Sequence, residues 1–192
     1  MIRVLMSVMV VALSLVGCGD TPESDSADDG RLRVVTTTGM VTDMVRIIGG
    51  DDVQVIGLMG PGVDPHYYKA TQGDLNRLRQ AEVIVFNGLF LEGKMEEIFE
   101  KMEDAKTVVA LARAVPDAQL RRPPDYEGNP DPHIWFDVAL WATTIDEVER
   151  TLSAARPEAA PRFAQRAEAY RTELTALHAW VQAQVATVPE SR

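Results

Sequence analysis

Two of the three histidines sit in the same tripeptide, Asp64-Pro65-His66 and Asp131-Pro132-His133. Neutral imidazole is a good donor to Zn²⁺ and an acceptable one to Mn²⁺. Proline fixes its own φ and restricts the residue before it, so an imidazole carried by such a stiff segment loses less entropy on binding a ligand. Each histidine taken alone reads first as a loop side chain bonded to backbone. The repetition of the tripeptide is what points toward ligands. Two donors fall short of the four of a zinc site and the larger set that manganese takes. The third histidine, His178, follows Leu177 in a helical stretch and reads as a surface or half-buried helical residue.

Other chemistry finds little support. Glu96-Glu97 and Asp51-Asp52 read as solvated charges. Gly60-Pro61-Gly62 lacks the Lys and Ser/Thr of a phosphate loop. Beyond the leader the serines are Ser24, Ser26, Ser153 and Ser191, none in a nucleophile elbow. Met40, Met44 and Met59 read as core. The formal net charge of -10 argues against nucleic acid, whose phosphates attract basic surfaces. A lone cysteine, Cys18, rules out an internal disulfide or a Cys-rich zinc site.

Positioning these histidines falls to alternating elements. Apolar, β-branched runs predict strands at 32–37, 53–59, 83–86 and 108–110. Helical spacing predicts helices at 40–48, 71–80 (Leu75 and Leu78 inward) and 94–103. This order predicts an α/β fold, a (β/α)4 lobe with a parallel sheet and helices on both faces. Ligands of such sheets bind outside the carboxyl ends of the strands, where both Asp-Pro-His segments fall. Residues 115–132 read as a long Pro-rich loop, and 138–155 as a helix. A last helix over 157–187 has Phe163, Ala167, Tyr170, Leu174, Leu177, Val181 and Val185 as its inner stripe. At 1.5 Å per residue it runs roughly 45 Å, which suggests a strut between two lobes.

The N-terminus is organised for export. Arg3 precedes an apolar run over 4–16, too short for a bilayer span of ~20 residues, so 1–17 reads as a signal peptide. Leu15-Val16-Gly17-Cys18 resembles a bacterial lipobox, with Cys18 as the lipidated residue and several acyl chains as the membrane anchor. Residues 18–30 are acidic and poor in large apolar side chains, and read as a flexible tether. The expected organisation is then leader 1–17, tether 18–30, metal-binding lobe 31–155 and long inter-lobe helix 156–188.

Three ordered blocks carry a family resemblance: residues 58–74 around Asp64-Pro65-His66, Asn87-Gly88-Leu89-Phe90-Leu91-Glu92-Gly93-Lys94-Met95, and Asp131-Pro132-His133-Ile134-Trp135-Phe136-Asp137. Together they resemble the zinc and manganese solute-binding lipoproteins of ABC importers. The resemblance implies two (β/α) lobes joined by one rigid helix, with the metal in the cleft between them. It implies His66 and His133 as first-lobe ligands, Asp137 as a supporting aspartate, and Zn²⁺ or Mn²⁺ as the transported ligand. It implies an ABC permease as partner and an extracytoplasmic, lipid-anchored location, in the periplasm or at the cell surface. Phe90 departs from the pattern, since many relatives have His there. The resemblance also implies that the remaining ligands and the second lobe lie beyond Arg192, so that this chain carries half a metal site. Two other readings are a surface adhesin lipoprotein and a secreted metal-dependent hydrolase. The hydrolase would need an open coordination position and a general base, and no catalytic zinc pattern is present.

Overall fold

The computed structural model of the chain describes residues 30–189; the leader, Cys18 and the tether before residue 30 lie outside the described residues. The four apolar runs form strands Leu32–Thr36 (β1), Val53–Gly57 (β2), Val83–Phe86 (β3) and Thr107–Ala110 (β4). All pair in parallel in the order β2-β1-β3-β4, with Leu32 opposite Val53, Val34 opposite Val83, and Val83 opposite Thr107. The 53–59 expectation overshoots β2 by two residues. The amides of Leu58 and Met59 nevertheless still bond to the carbonyls of Thr36 and Thr37.

Six α-helices accompany the sheet among the described residues: Gly39–Gly49 (α1), Gln72–Gln80 (α2), Met95–Glu100 (α3), Val138–Thr143 (α4), Ile145–Ala155 (α5) and Ala160–Val185 (α6). Side chains alternate across a strand, so β1 sends Val34 to one face and Val35 to the other. Val34 joins α1 (Met44, Val45, Ile48), α5 (Val148, Leu152) and α6 (Phe163, Ala167) in one core. Val35 joins Leu78 of α2 and Met95 and Phe99 of α3 in a second. Cover on both faces explains why the strands are rich in Val and Ile, with β3 apolar and buried throughout. Among the described residues, no helix is long and apolar enough to cross a membrane.

Two expectations need correction. The helix over 138–155 is broken at Thr144, whose hydroxyl and amide both take the Trp141 carbonyl, at 2.8 and 3.1 Å. A hydroxyl that competes for a helical carbonyl bends the helix, and here the bend lets Trp141 and Ile145 both bury. The stripe on α6 is also only half realised. Phe163, Ala167, Tyr170 and Leu174 are buried, whereas Leu177 is 44% and Val185 63% exposed.

Asp52 is not the solvated charge that the sequence suggests. It ends the 3-10 turn Gly50–Asp52 after α1 and receives Arg162 and Arg166 from α6, the latter at 3.0 Å. Hydrogen bonds from Arg162, then from Arg166, hold its carboxyl far below the ordinary 3.8 against the opposing effect of burial. A carboxyl with a depressed folded value stabilises the fold above its unfolded value, and the contribution fades as pH falls below that value. Asp52→Asn should therefore cost about 1 kcal/mol at pH 7, a figure kept small because Arg162 is half exposed and screened. In urea melts the gap between wild type and variant should close below about pH 4.

Candidate metal centre

Both Asp-Pro-His segments fold into the same clamp. Asp64 Oδ1 accepts the His66 amide at 3.0 Å and lies 2.8 Å from His66 Nδ1. Asp131 Oδ1 accepts the His133 amide at 3.0 Å and lies 2.7 Å from His133 Nδ1. This is the Asx turn that a short acid two residues upstream makes, stiffened by the intervening proline. A carboxylate can only accept, so each Nδ1 carries a proton, and in the neutral ring each Nε2 presents its lone pair. Among the described residues neither Nε2 has a hydrogen-bond partner. The hydrogen bonds of His66 hold Asp64 below the usual carboxylate range. For Asp131, burial pushes upward, but the amide and ring of His133 outweigh it.

The fold then brings the two clamps together. His66 follows β2 on the 3-10 turn Pro65–Tyr67, and His133 starts the turn Ile134–Phe136. Their ring centres lie 5.3 Å apart with planes tilted by 39°. Two imidazoles sharing a tetrahedral zinc through Nε2 at ~2.1 Å would have ring centres about 5.2 Å apart. The pair can therefore offer two neutral nitrogen donors to one cation. His133 is backed by Trp135 edge-on at 5.2 Å and by Phe136 stacked at 6.2 Å. Tyr67, Phe90 and Phe136 are exposed, at 82%, 73% and 78%. Among the described residues no third His, Cys, Asp or Glu joins the pair in a cluster able to hold a metal.

Asp137 makes no hydrogen bond to either ring among the described residues. Its carboxylate accepts the amides of Ala139 and Leu140 at 2.9 and 3.2 Å, so it caps α4. An unpaired helix N-terminus is a stronger draw for a nearby carboxylate than a ring already bonded to Asp131. Ring orientation rests instead on Asp64 and Asp131. His178 stays apart from the pair, and with Val181 and Val185 it lines a groove of about 620 Å³ that also borders His133, Ile134 and Leu120.

The middle block, 87–94, holds the two clamps in place. Asn87 Nδ2 donates to the Pro132 carbonyl at 3.0 Å, one residue before His133. Gly93 packs so closely on His66 that an added Cβ would stand 3.1 Å from its carbonyl oxygen. The loop between them is left-handed at Gly88, Leu89 and Phe90, with φ of 88°, 57° and 63°. Glu92 is fully buried inside it. Burial pushes the Glu92 carboxyl up, against hydrogen bonds from Asn87, Thr37 and Gly88. Glu96, expected to be solvated, is half-buried and pushed up to about 7 by burial and by the charge of Glu92. Beyond the His66 turn, Tyr68 OH donates to Asp74 at 2.8 Å, and Asp74 closes a capping box with Thr71 at the start of α2. The sequence reading missed Asp64 and Asp131 as orienting residues, although an acid two residues before a histidine is the signal of an Asx turn. Glu92 carried no such local signal, because its burial depends on distant strands.

The chain is similar to the manganese-binding lipoprotein MntA of Bacillus subtilis (strain 168), with 42% identity over 185 residues, covering 96% of this chain and 60% of that one. It is 44% identical over 168 residues to the zinc-binding protein TroA of Treponema pallidum (strain Nichols), covering 88% of this chain and 54% of TroA. Its backbone matches a solved structure of the periplasmic zinc-binding protein TroA from Treponema pallidum with a TM-score of 0.80 at 42% identity, covering 83% of this chain and 57% of that one. The chain thus spans little more than half the length of these relatives. The model of the zinc-uptake complex component A periplasmic family (ZnuA) matches residues 34–192, and the chain belongs to that family.

Proposed function

We propose that this chain is the metal-binding lobe of an extracytoplasmic solute-binding protein that captures Zn²⁺ or Mn²⁺ for an ABC importer. The metal is cargo, and the work is coordination and release without bond-breaking chemistry. His66 and His133 each give one Nε2 to the ion. The length that this chain does not span in its relatives would supply the remaining ligands from a second lobe, with α6 as the strut between the two. Lipidated Cys18 would hold the protein at the membrane beside its permease. The observation that carries this reading is the spacing of the rings, 5.3 Å between centres, with both Nε2 lone pairs free.

The test is a Zn²⁺ titration of the full chain followed through imidazole ¹⁵N shifts. The Nε2 signals of His66 and His133 should move together at one equivalent, and that of His178 should stay. Movement of only one of the pair, or of neither, would sink the reading. The orienting aspartates provide a graded check. Loss of a carboxylate partner of a metal-bound His typically weakens binding ~10–100-fold. Asp131 is the less exposed of the two, at 25% against 55% for Asp64, so its hydrogen bond is less screened by water. Calorimetry should show Asp131→Ala losing more affinity than Asp64→Ala.

A further inference from the structure

Glu92 is a fully buried carboxylate with no direct contact to either ligand ring. A buried charge is costly unless hydrogen-bonded, so its partners report what it holds together. Oε1 accepts the Thr37 hydroxyl at 2.7 Å and the Asn87 amide at 2.7 Å. Oε2 accepts the Gly88 amide at 3.0 Å. Thr37 leaves the end of β1 and Asn87 the end of β3, the two middle strands of the sheet. From here the chain departs to opposite faces, into α1 in one case and α3 in the other, so Glu92 plugs the crevice at the switch point of the sheet.

Both ligand loops hang from the segment that Glu92 closes. Asn87, whose amide it binds, reaches Pro132 and so fixes the approach to His133. Gly93, its chain neighbour, bears on the carbonyl of His66. Between these anchors the backbone is left-handed at two successive residues with side chains, Leu89 and Phe90. Such backbone is unfavourable without something to hold it, and the carboxylate binding two loop amides is that something. Without the carboxylate the segment has a lower-energy path open to it, and the two histidines lose their common support.

We propose that Glu92 is a positioning residue for the histidine pair: by closing the 87–94 loop it sets the separation of the His66 and His133 rings and thereby the affinity for metal. The inference rests on the proposed role of these histidines as ligands. Asn87 relays the effect to His133, and Gly93 relays it to His66.

The experiment uses the full chain with Zn²⁺ alone, by calorimetry, together with the proton cross-peak between the two rings in the metal-free protein. Glu92→Gln turns one carboxylate oxygen into an amide donor facing N–H or O–H donors. It should weaken Zn²⁺ binding ~10–100-fold and erase the ring cross-peak. Thr37→Val removes a single donor and should weaken binding severalfold, while Thr37→Ser, which keeps the hydroxyl, should bind as wild type. Val148→Ala, in α5 and away from the loop, should lower the melting temperature and leave Zn²⁺ affinity unchanged. That comparison separates positioning from a general loss of stability. Wild-type affinity in both Glu92→Gln and Thr37→Val overturns the proposal, as does an equal affinity loss in Val148→Ala. If Glu92→Gln fails to fold, Thr37→Val decides alone. Should His66→Ala and His133→Ala bind Zn²⁺ as wild type does, the ligand assignment itself fails and this inference falls with it; a loss in those variants without one in Glu92→Gln and Thr37→Val overturns the positioning alone.

Discussion

Replacing His133 with Ala lowers the Zn²⁺ affinity of the full chain by more than about 100-fold, beyond what loss of an orienting carboxylate costs. His66→Ala does the same. The size follows from the small donor set. With two imidazoles on offer, removing one leaves a single nitrogen and no chelation. The melting temperature should hardly move, because both side chains are partly exposed, at 40% and 26%. Surface changes away from core and caps usually stay within ~0.5 kcal/mol. The double variant should add little to either single one, since each already abolishes the pair. Isothermal titration calorimetry reads the affinities. Two single variants that still bind with wild-type affinity would remove the basis for the proposed function.

The second large effect concerns the seat of α6. Phe163→Ala should destabilise the protein by about 3–5 kcal/mol, the usual cost of emptying a fully buried aromatic site. For a chain of this size that is a fall of roughly 10 °C in melting temperature. Phe163 shares its core with Met44, Val45 and Ile48 of α1 and with Leu152 of α5, so no exposed neighbour can fold in to fill the gap. Trp180→Ala on the same helix should change stability by less than about 0.5 kcal/mol, because Trp180 is 60% exposed. Melting curves by circular dichroism give both values. Equal losses in the two variants would mean that the far half of α6 packs on the lobe after all, contrary to its proposed role as a strut.

Several features were legible residue by residue. The Val- and Ile-rich runs named the strands, because a sheet covered on both faces asks for apolar side chains on both, most completely in β3, whose four residues are all apolar and buried. The 83–86 run matches β3 at both ends. The doubled Asp-Pro-His named the histidines, and its clamp geometry is local, made by atoms two residues apart. The errors lie where local rules compete. Thr144 reads as a tolerable helical residue, yet in place it takes a carbonyl and ends α4, because Trp141 and Ile145 must both reach the core. Leu177 and Val185 continue the apolar stripe of α6, but the described lobe ends its cover at Leu174.

The sequence by itself determined the sheet, the helical faces, the two stiff histidine clamps and the chemistry that they could offer, since each depends on side chains within a few positions of one another. Only the tertiary structure decided that the two clamps meet at 5.3 Å, that Asp52 locks α6 to the end of α1, and that Glu92 lies buried between β1 and β3. Those outcomes depend on which strand lies beside which. That order follows from how all the helices share the two faces of the sheet, a condition on the whole chain that no short window of it expresses.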